Sequence, residues 1–438
     1  MIKNLTKSEE LFDRRKNAVA NGVGVFNTAT VKEAKGAIII DVDGRELIDF
    51  AGGIGVVNAG HCPEPVVEAI RVQAGKYLHT SFNVVTYEPY IELCEELAEI
   101  LPHGEKTKTM LVTTGAEAVE NAIKIARQAT KRPAILCYTD AYHGRTMMAM
   151  ALTSKVSYKY DCGPFAPEVY RLPFPNFYRY GGTRDLEQFV DDELKRLHES
   201  ALNLVDVKSV AAVIIEPIQG EGGFNLVPQK YLEGLREFCD LHGIVLIMDE
   251  VQSGFCRTGH WASWQHYGVI PDISTYAKSM GSGLPIAAVV GRAEVMDAAA
   301  VGSIGGTYIG SPICCVAASA TIKYMKDINL NEKAVAVGHT IKARLHNLMK
   351  QHPEIGDVRG LGAMIGIEFV KNGDPTQPNS EICSEIVKGC IENGLIVLSA
   401  GTYKNVLRIL SPLVITDEEL EKGLSILEIE IIKAIKNT

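Results

Sequence analysis

Two of the apolar runs in this sequence end in acids. Residues 211–215 lead into Glu216, and residues 244–248 lead into Asp249-Glu250. Short runs without polar alternation suit strands buried on both faces of a parallel sheet, and open sheets of that kind bind ligands outside the carboxyl ends of their strands. Taken singly, each acid is more often a solvated loop residue; the coincidence at two strand ends carries more weight. Thr113-Thr114-Gly115-Ala116-Glu117 precedes a helix expected to begin near Ala116. Unpaired N–H groups beside a glycine suit a phosphate there, although the segment alone reads first as an ordinary glycine turn. Neither GK[ST] nor GxGxxG accompanies it, so nucleotide binding has little support. Lys278 lies 29 residues beyond Asp249 and just before Gly281-Ser282-Gly283. Most lysines are solvated charges. One held in a pocket, however, can lose its proton and condense with an aldehyde, and an acid such as Asp249 can keep a bound pyridine nitrogen protonated.

The elements that must position these groups are legible as a pattern. Apolar runs at 135–137, 211–215, 244–248 and 287–290 alternate with amphipathic segments, such as Val119, Ala122, Ile123 and Ala126 at helical spacing. This predicts an α/β fold with a mostly parallel central sheet. Before it, residues 37–40 and 47–50 flank Asp43-Gly44, a pair suited to the positive φ angles of a tight hairpin turn. After about residue 325 an amphipathic stretch reaches Met349, followed by expected strands at 363–370, 395–398 and 406–410. Thr416 and Glu419 then form a capping-box pattern before a last helix. We expect residues 1–60 to form a hairpin-bearing segment joined to the smaller domain or an interface. Residues 61–325 form the large domain, and 326–438 a smaller α+β domain.

Composition excludes other classes. A chain of 438 residues, 46% hydrophobic and 22% charged, is an ordinary globular protein with more than one core. Its net charge of -9, from 44 basic and 53 acidic residues, disfavours nucleic acid as a partner. No apolar run approaches membrane-spanning length, and the charged start MIKNLTKSEELFDRRK lacks an apolar leader core. Ten cysteines without a CxxC pair signal neither a zinc site nor a disulfide framework. The expectation is a cytoplasmic protein with reduced thiols and no metal.

DEVQSGFCRTG at 249–259 resembles the DEVQ-xG-xRTG signature of class III aminotransferases, the ω-amino acid branch of the fold-type I pyridoxal-phosphate enzymes. Further matching phrases are FAGGI (50–54), TTGAEAVEN (113–121), AYHGRT (141–146), EPIQGEGG (216–223), AKS (277–279) and GTY (306–308), in family order over nearly the whole chain. The resemblance implies that Lys278 carries pyridoxal phosphate as a Schiff base and then serves as the base. It implies that Asp249 pairs with the pyridinium nitrogen and Gln252 with the ring hydroxyl. Tyr142 and Val251 would cover the two ring faces, and Gly115 and Ala116 would bind the phosphate with their N–H groups. Thr307 would reach that phosphate from a neighbouring subunit, so a homodimer or homotetramer is expected.

For substrates, the resemblance implies an ω-amino acid such as 4-aminobutyrate as donor and 2-oxoglutarate as acceptor, with 5-aminovalerate, β-alanine or taurine as alternative donors. Arg145 would clamp the distal carboxylate and Arg408 the α-carboxylate. Glu221 would neutralise Arg408 when no α-carboxylate is present, because an unpaired buried arginine is costly. Ile54 would limit bulk at the pocket mouth. His143 is expected to make a structural hydrogen bond only. Ala116 stands where many relatives have Ser, Tyr276 where Phe is common, and Ile309 and Ser311 replace Gly and Asn; Ile309, beside the expected mouth, is where substrate length preference could shift. The rival enzyme class is an aminomutase or racemase on the same scaffold, which has less reason to keep Arg145, Glu221 and Arg408 together.

Overall fold

The computed structural model describes residues 6–437; residues 1–5 of the first expected domain lie outside the described residues. The expected hairpin is formed by β2 (Ile38–Asp41) and β3 (Glu46–Asp49), with β1 (Val31–Lys35) beside β2. Its turn is longer than a two-residue type, since Ile40 pairs with Glu46 and, of Asp43 and Gly44, only Gly44 has a positive φ, of 83°. Asp41 explains this: its carboxylate accepts the N–H groups of Asp43 and Arg45 and pairs with the Arg45 guanidinium, organising a wider loop.

The central sheet contains β4 (Thr107–Val112), β5 (Ala134–Tyr138), β6 (Val169–Leu172), β7 (Val210–Ile215), β8 (Val245–Asp249), β9 (Ile273–Tyr276) and β10 (Ala287–Arg292), in the order β4-β10-β9-β8-β7-β5-β6. Neighbours from β6 to β9 pair in parallel, while β10 is antiparallel to both β9 and β4. The sheet is therefore mostly parallel, as expected. On β8, Val245 and Ile247 enter one apolar cluster and Leu246 and Met248 the other, which is why that run shows no polar alternation. β4 and β9 escape such a reading because Thr107, Thr109, Ser274 and Thr275 interrupt them, and β6 because it is a short edge strand.

The C-terminal portion forms an antiparallel sheet from β11 (Ile355–Leu361), β12 (Met364–Lys371), β13 (Asp374–Pro378), β15 (Leu398–Ala400) and β16 (Val406–Ile409). β14 (Leu395–Ile396) instead pairs in parallel with β3. The single strand expected at 395–398 is thus two strands in two sheets, with Val397 at the crossing between them, and the hairpin is joined to the C-terminal portion. Helices Pro312–Asp327 and Leu330–Met349 connect the two portions through Asn329 in a left-handed conformation. The last helix, Asp417–Asn437, opens with the expected capping box: Thr416 Oγ1 accepts the Glu419 N–H and Glu419 accepts the Thr416 N–H. Among the described residues no helix is long and apolar enough to cross a membrane.

Candidate active site

β4, β7, β8 and β9 run in one direction, so the residues that follow them collect at one edge of the sheet. A cavity of about 600 Å³ opens there, lined among others by Thr113–Ala116, Tyr142–Thr146, Glu216, Glu221, Asp249, Val251, Gln252 and Lys278.

Asp249 ends β8 opposite Thr275 of β9 and is only 4% exposed. Its Oδ2 lies 2.6 Å from His143 Nδ1; its Oδ1 accepts the Thr275 hydroxyl at 3.0 Å and the Val251 N–H at 3.1 Å. Lys278, just beyond β9, has a φ of 48°, a left-handed conformation that costs a non-glycine residue roughly 1–2 kcal/mol. The neighbouring Ser279 hydroxyl holds the turn by donating to the Gly55 carbonyl at 2.9 Å. Burial lowers the Lys278 amine to about 8; Glu221, Asp249 and Glu216 oppose the shift and Arg408 reinforces it. Glu216 is raised, chiefly by burial and also by the Asp249 carboxylate, while His143 and the N–H groups of Gly220 and Tyr142 restrain it.

The helix Gly115–Thr130 begins where the sequence pattern placed it. Thr114 and Glu117 cap it reciprocally, and Glu117 also accepts the Thr113 N–H. The N–H groups of Gly115 and Ala116 are the donors of that first turn which this cap leaves unbonded. A Cβ on Gly115 would come within 3.0 Å of Val251, so glycine lets that side chain close against the helix start. Gln252 Oε1 and His143 Nε2 are buried in the cavity wall without a hydrogen-bond partner. Free donors at a helix N-terminus, a buried acid, an unpartnered amide and an aromatic face from Tyr142 fit a phosphorylated pyridine ring. They leave the amine of Lys278 available for its aldehyde.

The other end of the site is built from charge. Arg408 lies on β16, an interior strand between β12 and β15, and is 1% exposed. Its guanidinium pairs with Glu221, while its Nε has no partner. Burial alone would raise the Glu221 carboxyl, but Arg408, with Lys278 and Lys155, holds it below its ordinary value. Arg145 is exposed at the cavity wall, 5.8 Å from the centroid of the Tyr158 ring, and Tyr158 meets the edge of Tyr142 at 5.3 Å.

Thr307 sits on an exposed loop away from this cavity. Ile54 does not line the cavity either. It belongs to a left-handed turn, Gly52 to Gly55, in which all four φ values are positive, and its own φ is 66°. Asp49 secures that turn by accepting the Ala51 and Gly52 N–H groups. Ile309 does not line this cavity: at 7% exposure it belongs to the core cluster that holds Val112, Ala118 and Val119. Sequence reasoning marked Glu216 as an acid at a strand end without giving it a partner, and did not mark Thr275, Tyr158 or Lys155, which are brought in only by pairing and loop packing.

Comparison with known proteins agrees with this geometry. The family described as aminotransferase class III matches residues 18–431. The chain is 47% identical to a 5-aminovalerate aminotransferase of Pseudomonas aeruginosa, over 96% of this chain and 97% of that protein. It is 46% identical to a 4-aminobutyrate aminotransferase of Escherichia coli, over 97% of this chain and 98% of that protein. A PLP-bound amine transaminase from an uncultivated Pseudomonas species superposes with a TM-score of 0.88 at 29% identity, covering 95% of this chain and 98% of that one.

Proposed function

The chain belongs to the class III aminotransferases and uses pyridoxal phosphate, and from that premise we propose that it moves the terminal amino group of 4-aminobutyrate to 2-oxoglutarate, releasing the semialdehyde and glutamate. The carrying observation is that Glu221, which lines the same cavity as Arg145, is paired from behind with the buried Arg408. A donor with one distal carboxylate needs Arg145 alone, and Glu221 keeps Arg408 neutralised. An acceptor with two carboxylates needs both arginines, and its α-carboxylate replaces Glu221.

When bound, the cofactor supplies an aldehyde that takes up the amino group and a ring that absorbs electron density from the reacting carbon. Lys278 Nζ would tether it and, when released, would serve as the base for the proton on the donor's amino-bearing carbon. Asp249, fixed by His143 and Thr275, would hold the ring nitrogen protonated, and Gln252 would bind the ring hydroxyl. Tyr142 and Val251 would enclose the ring, and the Gly115 and Ala116 N–H groups would hold the phosphate. Thr307 serves the site of a second copy. Its loop adjoins the segment around His79, where Leu78, Val84, Val85 and Tyr308 are exposed, an apolar face suited to a homodimer. Ten unpaired cysteines support residence in a reducing cytoplasm.

A donor one methylene longer, 5-aminovalerate, is the second reading, supported by the 47% identity to an enzyme of that name. A pocket separates such homologues by only ~1–3 kcal/mol. Turnover of donors of increasing length, each with 2-oxoglutarate and with pyruvate, tests the proposal. We expect a maximum at four or five carbons with 2-oxoglutarate and formation of the amino form of the cofactor. A racemase or aminomutase would leave no such form. A cofactor-supplemented preparation that turns over none of these donors overturns the reading.

A further inference from the structure

Arg359, which the sequence did not mark, stands at the back of the Glu221 loop. β11, β12 and β16 are neighbours, and their register sets Arg359 opposite Gly366 and Gly366 opposite Arg408. Residues directly opposed across strands share a face of the sheet, so the two arginines flank a glycine and stand about 10 Å apart. The Gly223 carbonyl occupies the gap: a Cβ on Gly366 would lie 3.5 Å from it and 3.2 Å from Phe224 Cβ. One arginine holds this loop by its side chain and the other by its backbone. Arg408 pairs with the Glu221 carboxylate. Arg359 donates to the Gly223 carbonyl through both Nε, at 3.0 Å, and Nη2, at 2.6 Å.

The loop has little freedom elsewhere. The Glu221 carbonyl accepts the Gly401 N–H at 2.9 Å. A Cβ on Gly222 would fall 2.5 Å from the Asp140 carbonyl, and one on Gly223 would fall 3.0 Å from Val406. Arg359 is itself anchored, with Nη1 placed 2.9 Å from Asp357 and 2.7 Å from Glu368. Glu368 is 2% exposed and also pairs with Arg179 and accepts from Asn405. Arg359 does not line the cavity, and its nitrogens are engaged by Gly223, Asp357 and Glu368.

We propose that Arg359 is a positioning residue for the substrate switch: by clamping Gly223 it fixes the Glu221 backbone, so that partner exchange at Arg408 is a side-chain rotation. The proposal rests on the reading of Glu221 and Arg408 given above. It distinguishes the two half-reactions. With an ω-amino donor, Glu221 must sit on Arg408, and a loosened loop leaves the buried guanidinium poorly paired. With glutamate, the α-carboxylate occupies Arg408 and Glu221 must be absent, so loosening costs nothing there.

The test measures both half-reactions of the holoenzyme from the cofactor's visible spectrum, in R359K and in E221Q. R359K retains the charge but loses the two-pronged bond to Gly223. We expect kcat/KM for the ω-amino donor to fall about tenfold in R359K, with that for glutamate changed less than about twofold, and a stronger loss of the same sign in E221Q. A purely structural role would lower both half-reactions together. If E221Q is selective and R359K is not, the clamp is refuted while the switch stands. If neither is selective, the switch reading fails and the clamp with it. E368Q, which keeps Arg359 but weakens its anchor, carries the same test should R359K fail to fold, with a smaller selective loss expected and equal losses refuting the proposal.

Discussion

The two ends of the cavity solve the problem of a buried charge in opposite ways. At the cofactor end, Asp249 is satisfied by the Thr275 hydroxyl, the Val251 N–H and His143, all belonging to the chain itself. Nothing in that set has to change during turnover. At the substrate end, Arg408 and Glu221 are held mainly by each other, and one nitrogen of Arg408 has no partner at all. A charge satisfied by fixed dipoles is preorganised; a charge satisfied by a movable counter-charge is exchangeable. The first suits a cofactor that stays, the second two substrates that alternate.

Three perturbations can break or sharpen this contrast. The largest effect is expected at Lys278, the proposed covalent anchor of the fixed end. Lys278→Ala should lower turnover on the order of 10³-fold or more, and borohydride reduction of the wild type followed by peptide mapping should label Lys278. A label on another lysine would remove the fixed end from the account. Next comes Arg145→Ala, which should raise donor KM about 10- to 100-fold with cofactor affinity unchanged, as measured by titrating apoenzyme. Unaltered donor kinetics would exclude Arg145 from the exchangeable end.

The smallest effect is a pH dependence. The Lys278 amine is lowered from its ordinary 10.5 to about 8, and only the unprotonated amine attacks an aldehyde. Capture of the cofactor by apoenzyme should therefore accelerate as pH rises, with the lysine contribution levelling off above about 8; at pH 7 roughly a tenth of the amine is already neutral. A rate that keeps climbing toward pH 10 would mean that the amine is not desolvated.

Much of the fixed end was legible because its signals are local. Glu216 and Asp249 each follow an uninterrupted apolar run, Thr114 and Glu117 spell a helix cap, and Gly115 stands at its start. Tyr276 in place of Phe proved to be a core residue, its hydroxyl bonded to Trp264 and Ser274. The burial of Ile309 was not legible, because the packing of a residue at the end of a loop cannot be read from one side chain. The strand expected at 395–398 split because periodicity shows that a run is buried but not which sheet claims each half.

The sequence by itself determined the strand and helix pattern, the acids at strand ends and, through its motifs, the family and its cofactor. These depend on residues close along the chain, where side-chain spacing and backbone geometry act directly. The meeting of distant residues is the work of folding: Glu221 and Arg408, 187 positions apart, were joined beforehand only through the family resemblance, and Gly223 and Arg359, 136 apart, not at all. No local pattern marks such partners. They find each other because strand register and loop packing bring them together, and the low-dielectric interior then makes leaving either charge alone too costly.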